Sequence, residues 1–407
     1  MRAALVAQLG ARMHYAVPRI LFQLGCLERL CTDICSVKGW PRLLGLVPNS
    51  LRPNRLARLL DRVPKGLPPG KITAFTSFGW EYFKRRSAAN TESETTATHL
   101  WAGRRFGELV LARGFGDAGF VYTYNSAGLE ILEAAKSEGL QAVMEQTIAP
   151  REVEEQLISR EMDTFPGWGA PCQHDPYVPD FCERERAERD VADVIICGSH
   201  FVKEMIEDCG GPAERCIVVP YGVDVIMPCK ARTVQNGKLK VLTVGAIGLR
   251  KGSPYVLQAA KALAGHAEFR MVGPLNVATK IKKELSEYIE VKGAVPRSEM
   301  HDHYAWADVF LLPSLCEGSA TATYEALASG CPVICTPNTG SVIRDGAEGF
   351  IVPARDSQAI AERIERFIRN RPMLYDMGRA AIELSGTFTL SAYANRLAEA
   401  LSLRGRR

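Results

Sequence analysis

The stretch Phe310–Gly340, FLLPSLCEGSATATYEALASGCPVICTPNTG, constrains this chain more than any other. Its apolar start reads as a strand ending at Pro313. A short loop then carries Glu317 and Gly318, and a helix opens near Ser319–Ala320. Ser319, Thr321 and Thr323 lie in or just before its first turn, where unpaired backbone N–H groups and the helix dipole favour an anion. Glu325 falls about two turns after the loop, beyond the anion and within reach of a ribose diol. Glu317 stays at the strand end, free to meet sugar hydroxyls on the other side. A diphosphate cradle with a carboxylate at each end describes a nucleotide-sugar site.

Glu317 and Glu325, with seven residues between them and ALASGCPV following, strongly resemble the signature of the retaining family 4 (group 1) glycosyltransferases of GT-B fold. An acidic pair at this spacing carries nothing alone. Here it follows an FLLPS strand and precedes a helix, Gly-Cys-Pro and a second strand. The resemblance covers residues 190–390 well and 1–190 only in strand order. It implies two doubly wound, Rossmann-like α/β domains facing across a cleft. Residues 1–224 would form the acceptor side and 225–387 the nucleotide-sugar side, with a final helix in 388–407 crossing back onto the first domain.

Composition agrees with that size and class. A chain of 407 residues suits two domains, and 46% hydrophobic with 24% charged residues is a soluble globular profile. The net charge of +4 is too small to imply nucleic acid. No apolar run approaches the ~18 residues of a membrane span. MRAALVAQLG reads as a buried strand rather than a signal peptide. The twelve cysteines form no C-x-x-C pair, so free thiols in a reducing, cytoplasmic compartment are expected. His301 and His303 point to different sides of a helix. There is no Asp-x-Asp, the usual diphosphate–metal ligand of the other main glycosyltransferase fold; no metal or other cofactor is expected beyond the nucleotide-sugar co-substrate.

Taken in order, residues 3–9 read as the first strand, with Gly10-Ala11-Arg12 turning at the carboxyl edge of a sheet and His14-Tyr15 next. Arg12 has two readings, contact with a phosphate or acidic acceptor, or capping of a local carboxylate. Val17–Ile34 reads as an amphipathic helix. Residues 36–71 set Lys38, Arg42, Arg52, Arg55, Arg58, Arg62, Lys65 and Lys71 against one acid, Asp61, with Trp40 and leucines between. They suit an anionic membrane surface, at the inner face, or an ordinary loop and helix packed on the sheet. Ile72–Phe78 reads as a strand, and a mobile polar region runs through Thr98 to a helix near His99–Arg113. Strand 120–124, helix 126–138 and strand 140–145 imply right-handed parallel crossovers. Many family members have a histidine where Glu145-Gln146-Thr147 stands, so Glu145 joins Gly10, Arg12 and His14 as an acceptor-side candidate.

The second half restarts with strand Leu239–Val244 and the loop GAIGLRKG. The resemblance makes Lys251 and Arg250 cations for the donor diphosphate, with Arg250 substituting for the usual arginine where Ala246 stands. With Glu317 they are the catalytic candidates. Donor-binding candidates are Gly245 and Gly248 in the loop, Gly273 admitting the base, Val295 beside it, and Gly318, Ser319, Ala320, Thr321 and Glu325. The implied reaction is retaining, metal-independent transfer of a hexosyl group (EC 2.4) to a hydroxyl of a glycan, lipid-linked or small-molecule acceptor. The leaving phosphate takes the acceptor's proton, so no nucleophile is assigned. An epimerase or phosphorylase of the same fold, or a non-catalytic sugar-nucleotide-binding protein, are the alternatives.

Overall fold

The computed structural model describes residues 2–44, 59–169, 175–223 and 237–402. The first half builds β1 (Ala3–Gln8), β2 (Leu27–Thr32), β3 (Ile72–Ala74), β4 (Ala118–Tyr124), β5 (Gln141–Gln146), β6 (Val194–Cys197) and β7 (Cys216–Val218). They pair in parallel in the order β3-β2-β1-β4-β5-β6-β7. The second half builds β8 (Leu239–Val244), β9 (Ala267–Val272), β10 (Ile289–Val291), β11 (Val309–Leu312), β12 (Val333–Cys335) and β13 (Gly349–Ile351), ordered β10-β9-β8-β11-β12-β13. Central strands such as β6 (VIIC) and β11 (VFLL) are short apolar runs because both faces of a parallel sheet are covered. The period of two shows directly: Val309 and Leu311 enter one core, Phe310 and Leu312 another.

Strand order reverses between β1 and β4 and between β8 and β11. The carboxyl ends there form the crevice where an open α/β sheet takes its ligands. This is the expected pair of doubly wound domains facing across a cleft, the GT-B architecture.

Each half also lends a helix to the other. The last helix, Leu390–Ala400, buries Tyr393 and Leu397 in the core that holds Tyr15 and Val17. Arg396 donates to the Pro220 carbonyl, and the Val223 N–H donates to Phe388 O at 3.0 Å. Conversely, the helix Arg151–Thr164 packs Ile158 and Met162 on the second-domain core. Its buried Glu161 accepts from Tyr255 Oη at 2.6 Å and pairs with Arg355.

Three local expectations are corrected. Val17–Ile34 is not one helix: a helix over Ala16–Gln23 stops before Gly25, at φ +70°, and Leu27–Thr32 is β2, paired between β1 and β3. The strand expected over Ile72–Phe78 ends at Ala74, where the helix Thr76–Ala88 takes over. The polar region through Thr98 is mostly helical. Thr91 and Glu94 form a reciprocal capping box that starts the helix Glu92–Leu111. The sequence reading also has no element where the helix Arg371–Ser385 lies. Of the basic stretch 36–71, Arg52, Arg55 and Arg58 lie outside the described residues. Among the described residues no helix is long and apolar enough to cross a membrane.

Candidate functional site

A cleft of about 1110 Å³ separates the two sheets. Arg12, His14, His99 and Thr147 line it from the first domain; Arg250, Lys251, Val295, Arg297, Glu317 and Glu325 line it from the second. The loop after β8 reaches the end of β11 only because Gly252 is a glycine. Its φ is +67°, and a Cβ there would lie 2.0 Å from Pro313 O. That approach delivers Lys251 and Arg250 to Glu317.

Lys251 Nζ lies 2.7 Å from Glu317 Oε1, and Arg250 Nη1 donates to the same oxygen at 2.6 Å. Arg250 Nε also faces Glu154, on the Arg151–Thr164 helix, at 3.7 Å. Lys251 is only 12% exposed; burial pulls its pKa below the ordinary lysine value, against the opposing pull of Glu317. Glu317 is therefore not free at the strand end as expected from sequence. It holds two cations together that would otherwise repel, and an anion entering the cleft would compete with it for both.

The helix Thr321–Ala328 starts without a side-chain cap, and Ala320, Thr321 and Ala322 line the cleft. An anion there meets uncapped backbone donors. The Ser319 hydroxyl bonds Tyr324 Oη at 2.6 Å and Gly340 O at 3.1 Å, so it serves the loop's own fold. Glu325 sits in the cleft wall, fixed by Tyr304 Oη at 2.8 Å and by Arg297 at 3.1 Å.

Two glycines are reassigned. Gly273, at φ +155°, would place a Cβ 1.8 Å from Gly245 O, so it admits the neighbouring loop's backbone rather than a base. Gly248 donates its N–H to Ser253 Oγ at 3.0 Å. Neither lines the cleft, whereas Gly245 and Gly318 do. A Cβ on Gly318 would lie 1.9 Å from Thr147 O, a backbone atom of the facing domain. Gly318→Ala is expected to force this contact open and lower stability by about 1–3 kcal/mol, read by denaturant unfolding. Gly386→Ala, which meets nothing within 4 Å, serves as the neutral control.

On the first-domain side of the cleft, Arg12 caps a local carboxylate. Its Nε lies 3.3 Å from Glu145 Oε1 and its Nη2 donates to Tyr221 Oη at 2.7 Å. Tyr122 and Tyr221 donate to Glu145 at 2.6 and 2.8 Å. Glu145 is thus fully buried below the cleft floor, not a group that meets an acceptor. Gly10 likewise turns inward, its N–H donating to Asp33 Oδ1 at 3.0 Å, and does not line the cleft.

Met13, His14 and Tyr15 then run consecutively at φ 45°, 51° and 60°, left-handed values costly for any residue with a Cβ. This strained turn brings His14 to the cleft wall. Burial and then Arg297, Lys65 and Arg19 lower its pKa, so the imidazole is neutral at neutral pH. His99 and Arg297 also line the cleft and belong to no motif. His99 stands where the sequence expects a helix to start and lies inside the observed helix Glu92–Leu111, and Arg297 lies in a short turn after Val295.

Residues 238–370 match the family model described as "Glycosyl transferases group 1". The putative colanic acid biosynthesis glycosyltransferase WcaL of Salmonella typhimurium is 32% identical over 181 residues, 40% of this chain and 45% of that protein. The amylovoran biosynthesis glycosyltransferase AmsK of Erwinia amylovora is 28% identical over 169 residues, 37% and 42% of the two chains. The aligned stretches thus span less than half the length of these curated relatives. Sucrose-phosphate synthase from Thermosynechococcus elongatus superposes over 99% of both chains with TM-score 0.66 at 15% identity. Anabaena Alr3699/HepE, solved in complex with UDP and glucose, covers 99% of this chain and 100% of its own, with TM-score 0.63 at 13% identity. Residues 238–370, the second half of the GT-B fold, are thus similar to group 1 glycosyltransferases.

Proposed function

We propose that the chain is a retaining, metal-independent glycosyltransferase of family 4 type, moving a sugar from a nucleotide diphosphate to an acceptor hydroxyl. The observation that carries this is Glu317 bridging Lys251 and Arg250 beside the uncapped start of the Thr321–Ala328 helix. Glycosyl transfer develops positive charge at the anomeric carbon and negative charge on the departing diphosphate. Lys251, Arg250 and the helix start stabilise that diphosphate in a partly dry cleft. Glu317, exchanged from the cations by the diphosphate, turns to the sugar hydroxyls. Glu325 accepts from the ribose, with Tyr304 fixing its angle. The acceptor hydroxyl attacks the face the diphosphate leaves, and its proton passes to a leaving-phosphate oxygen; no protein nucleophile is required.

The acceptor lies on the side of Arg12, His14 and His99. The colanic acid and amylovoran biosynthesis relatives favour a glycan acceptor, free or lipid-linked. A uridine diphosphate sugar is the first donor to try, since a protein of the same fold holds UDP and glucose. All ten described cysteines are free, which fits the reducing compartment where we place the reaction. The test is release of nucleoside diphosphate across a panel of nucleotide sugars, followed by NMR of the transferred linkage. Retention at the anomeric carbon and full activity in EDTA are expected. An inverted linkage, or a loss in EDTA restored by cation, overturns the mechanism; interconversion of the nucleotide sugar without acceptor points to an epimerase.

A further inference from the structure

Among the described residues, three exposed apolar side chains of the first domain fall on two neighbouring segments. Trp40 is 38% exposed, Leu43 66% and Trp80 43%. Trp40 meets Trp80 edge-to-face with ring centroids 5.6 Å apart, and Trp80 stacks on Phe83 at 5.4 Å. Two separate segments build this patch. The loop carrying Trp40 reaches the helix Thr76–Ala88 because Gly39 has no side chain; a Cβ there would lie 2.8 Å from Thr76 Oγ1. Trp80, Phe83 and Lys84, at i, i+3 and i+4, then share one face of that helix.

The charge around the patch has one sign. Lys38, Arg42 and Lys84 border it, and none has an ion pair with a described residue. The acid of the helix, Glu81, is already paired with Arg85 at 2.7 Å. Two cations expected to join such a surface do not. Arg62 pairs with Asp33 at 2.9 Å and Lys71 with Glu28 at 3.7 Å.

We propose that Trp40, Leu43, Trp80 and Phe83, ringed by Lys38, Arg42 and Lys84, dock on an anionic lipid bilayer. Indole rings carry an apolar body and a polar edge suited to the headgroup boundary, and long basic side chains reach outward to lipid phosphates. The opposite side of the same helix points to the cleft, where Tyr82 Oη meets His99 Nδ1 at 3.2 Å. A bilayer on the tryptophan face therefore lies one helix away from the acceptor side of the cleft. The docking itself is independent of the transferase reading; only the delivery of a lipid-linked acceptor rests on it.

The test is co-sedimentation of the full chain with vesicles of phosphatidylcholine alone or mixed with phosphatidylglycerol. Three facing cations should give a preference for the anionic vesicles on the order of 100-fold at low salt, falling as salt is raised. Brominated lipids should quench tryptophan emission in the unmodified protein. The combined variant Trp40→Ser, Arg42→Gln, Trp80→Ser, Lys84→Gln should lose binding and quenching while still releasing nucleoside diphosphate in solution at the wild-type rate. Equal binding to both vesicles, no binding at low salt, or binding that survives the four substitutions overturns the proposal. Loss of diphosphate release in the unmodified protein would instead count against the transferase reading.

Discussion

Replacing Lys251 with alanine should cut sugar transfer about a hundredfold or more, because the lost charge matters most as the diphosphate departs. The ammonium lies in a nearly enclosed position, where burial opposes its charge and Glu317 sustains it. In such surroundings a cation acts far more strongly than in water. Glu325→Ala should behave differently. Its carboxylate is held by Tyr304 and Arg297 in the wall near Val295, and its removal should mainly raise the apparent KM for donor. Steady-state kinetics on both variants separates the two roles. Wild-type turnover in Lys251→Ala would mean that the diphosphate does not sit at this loop.

The largest loss of stability is expected at Glu145. Glu145→Ala removes the acceptor shared by Arg12, Tyr122 and Tyr221, leaving two buried hydroxyls and a cation without it. Removing one partner of a buried ion pair costs about 3–5 kcal/mol. Arg12 is 32% exposed and can recruit water, so the lower end, about 3 kcal/mol, is expected in denaturant unfolding. Glu145→Gln should lose less, since an amide oxygen still accepts. The same anchor precedes the left-handed turn at Met13–Tyr15, whose three residues cost roughly 1–2 kcal/mol each. Freed from Glu145, that turn should relax, and hydrogen exchange at Met13–Tyr15 should speed up. An unchanged unfolding midpoint in Glu145→Ala would show that the network holds nothing.

The second domain was the more legible half. Leu239–Val244 reads as β8 with its observed bounds, because Leu239, Val241, Leu242 and Val244 dominate a short β-branched-rich run that Gly245 closes. Lys251, Arg250, Glu317 and Glu325 were assigned to one site from motifs, and the fold does bring them to one cleft. Their mutual pairing was not readable, since which carboxylate faces which cation is decided by backbone approach at Gly252. In the first domain, Leu27–Thr32 was absorbed into a helix because six residues of mixed character fit either period until β1 and β3 flank them. Glu145 looked like a cleft residue, but the two tyrosines that bury its charge lie 23 and 76 positions away. His99 and Arg297 had no local signal; only the approach of the two domains makes them neighbours of the site.

The exchange of helices between the halves bears on how such a chain can be recombined. The Arg151–Thr164 helix closes the second-domain core through Ile158, Met162 and the Glu161–Tyr255–Arg355 cluster, while Leu390–Ala400 closes the first. A chimera joined at a single crossover between the sheets would pair each core with a foreign lid. The exchangeable second-domain cassette is therefore discontinuous: it runs from β8 to about Ser385, keeps the native Leu390–Ala400 helix with the first domain, and must bring residues equivalent to Tyr255 and Arg355 that donate to Glu161.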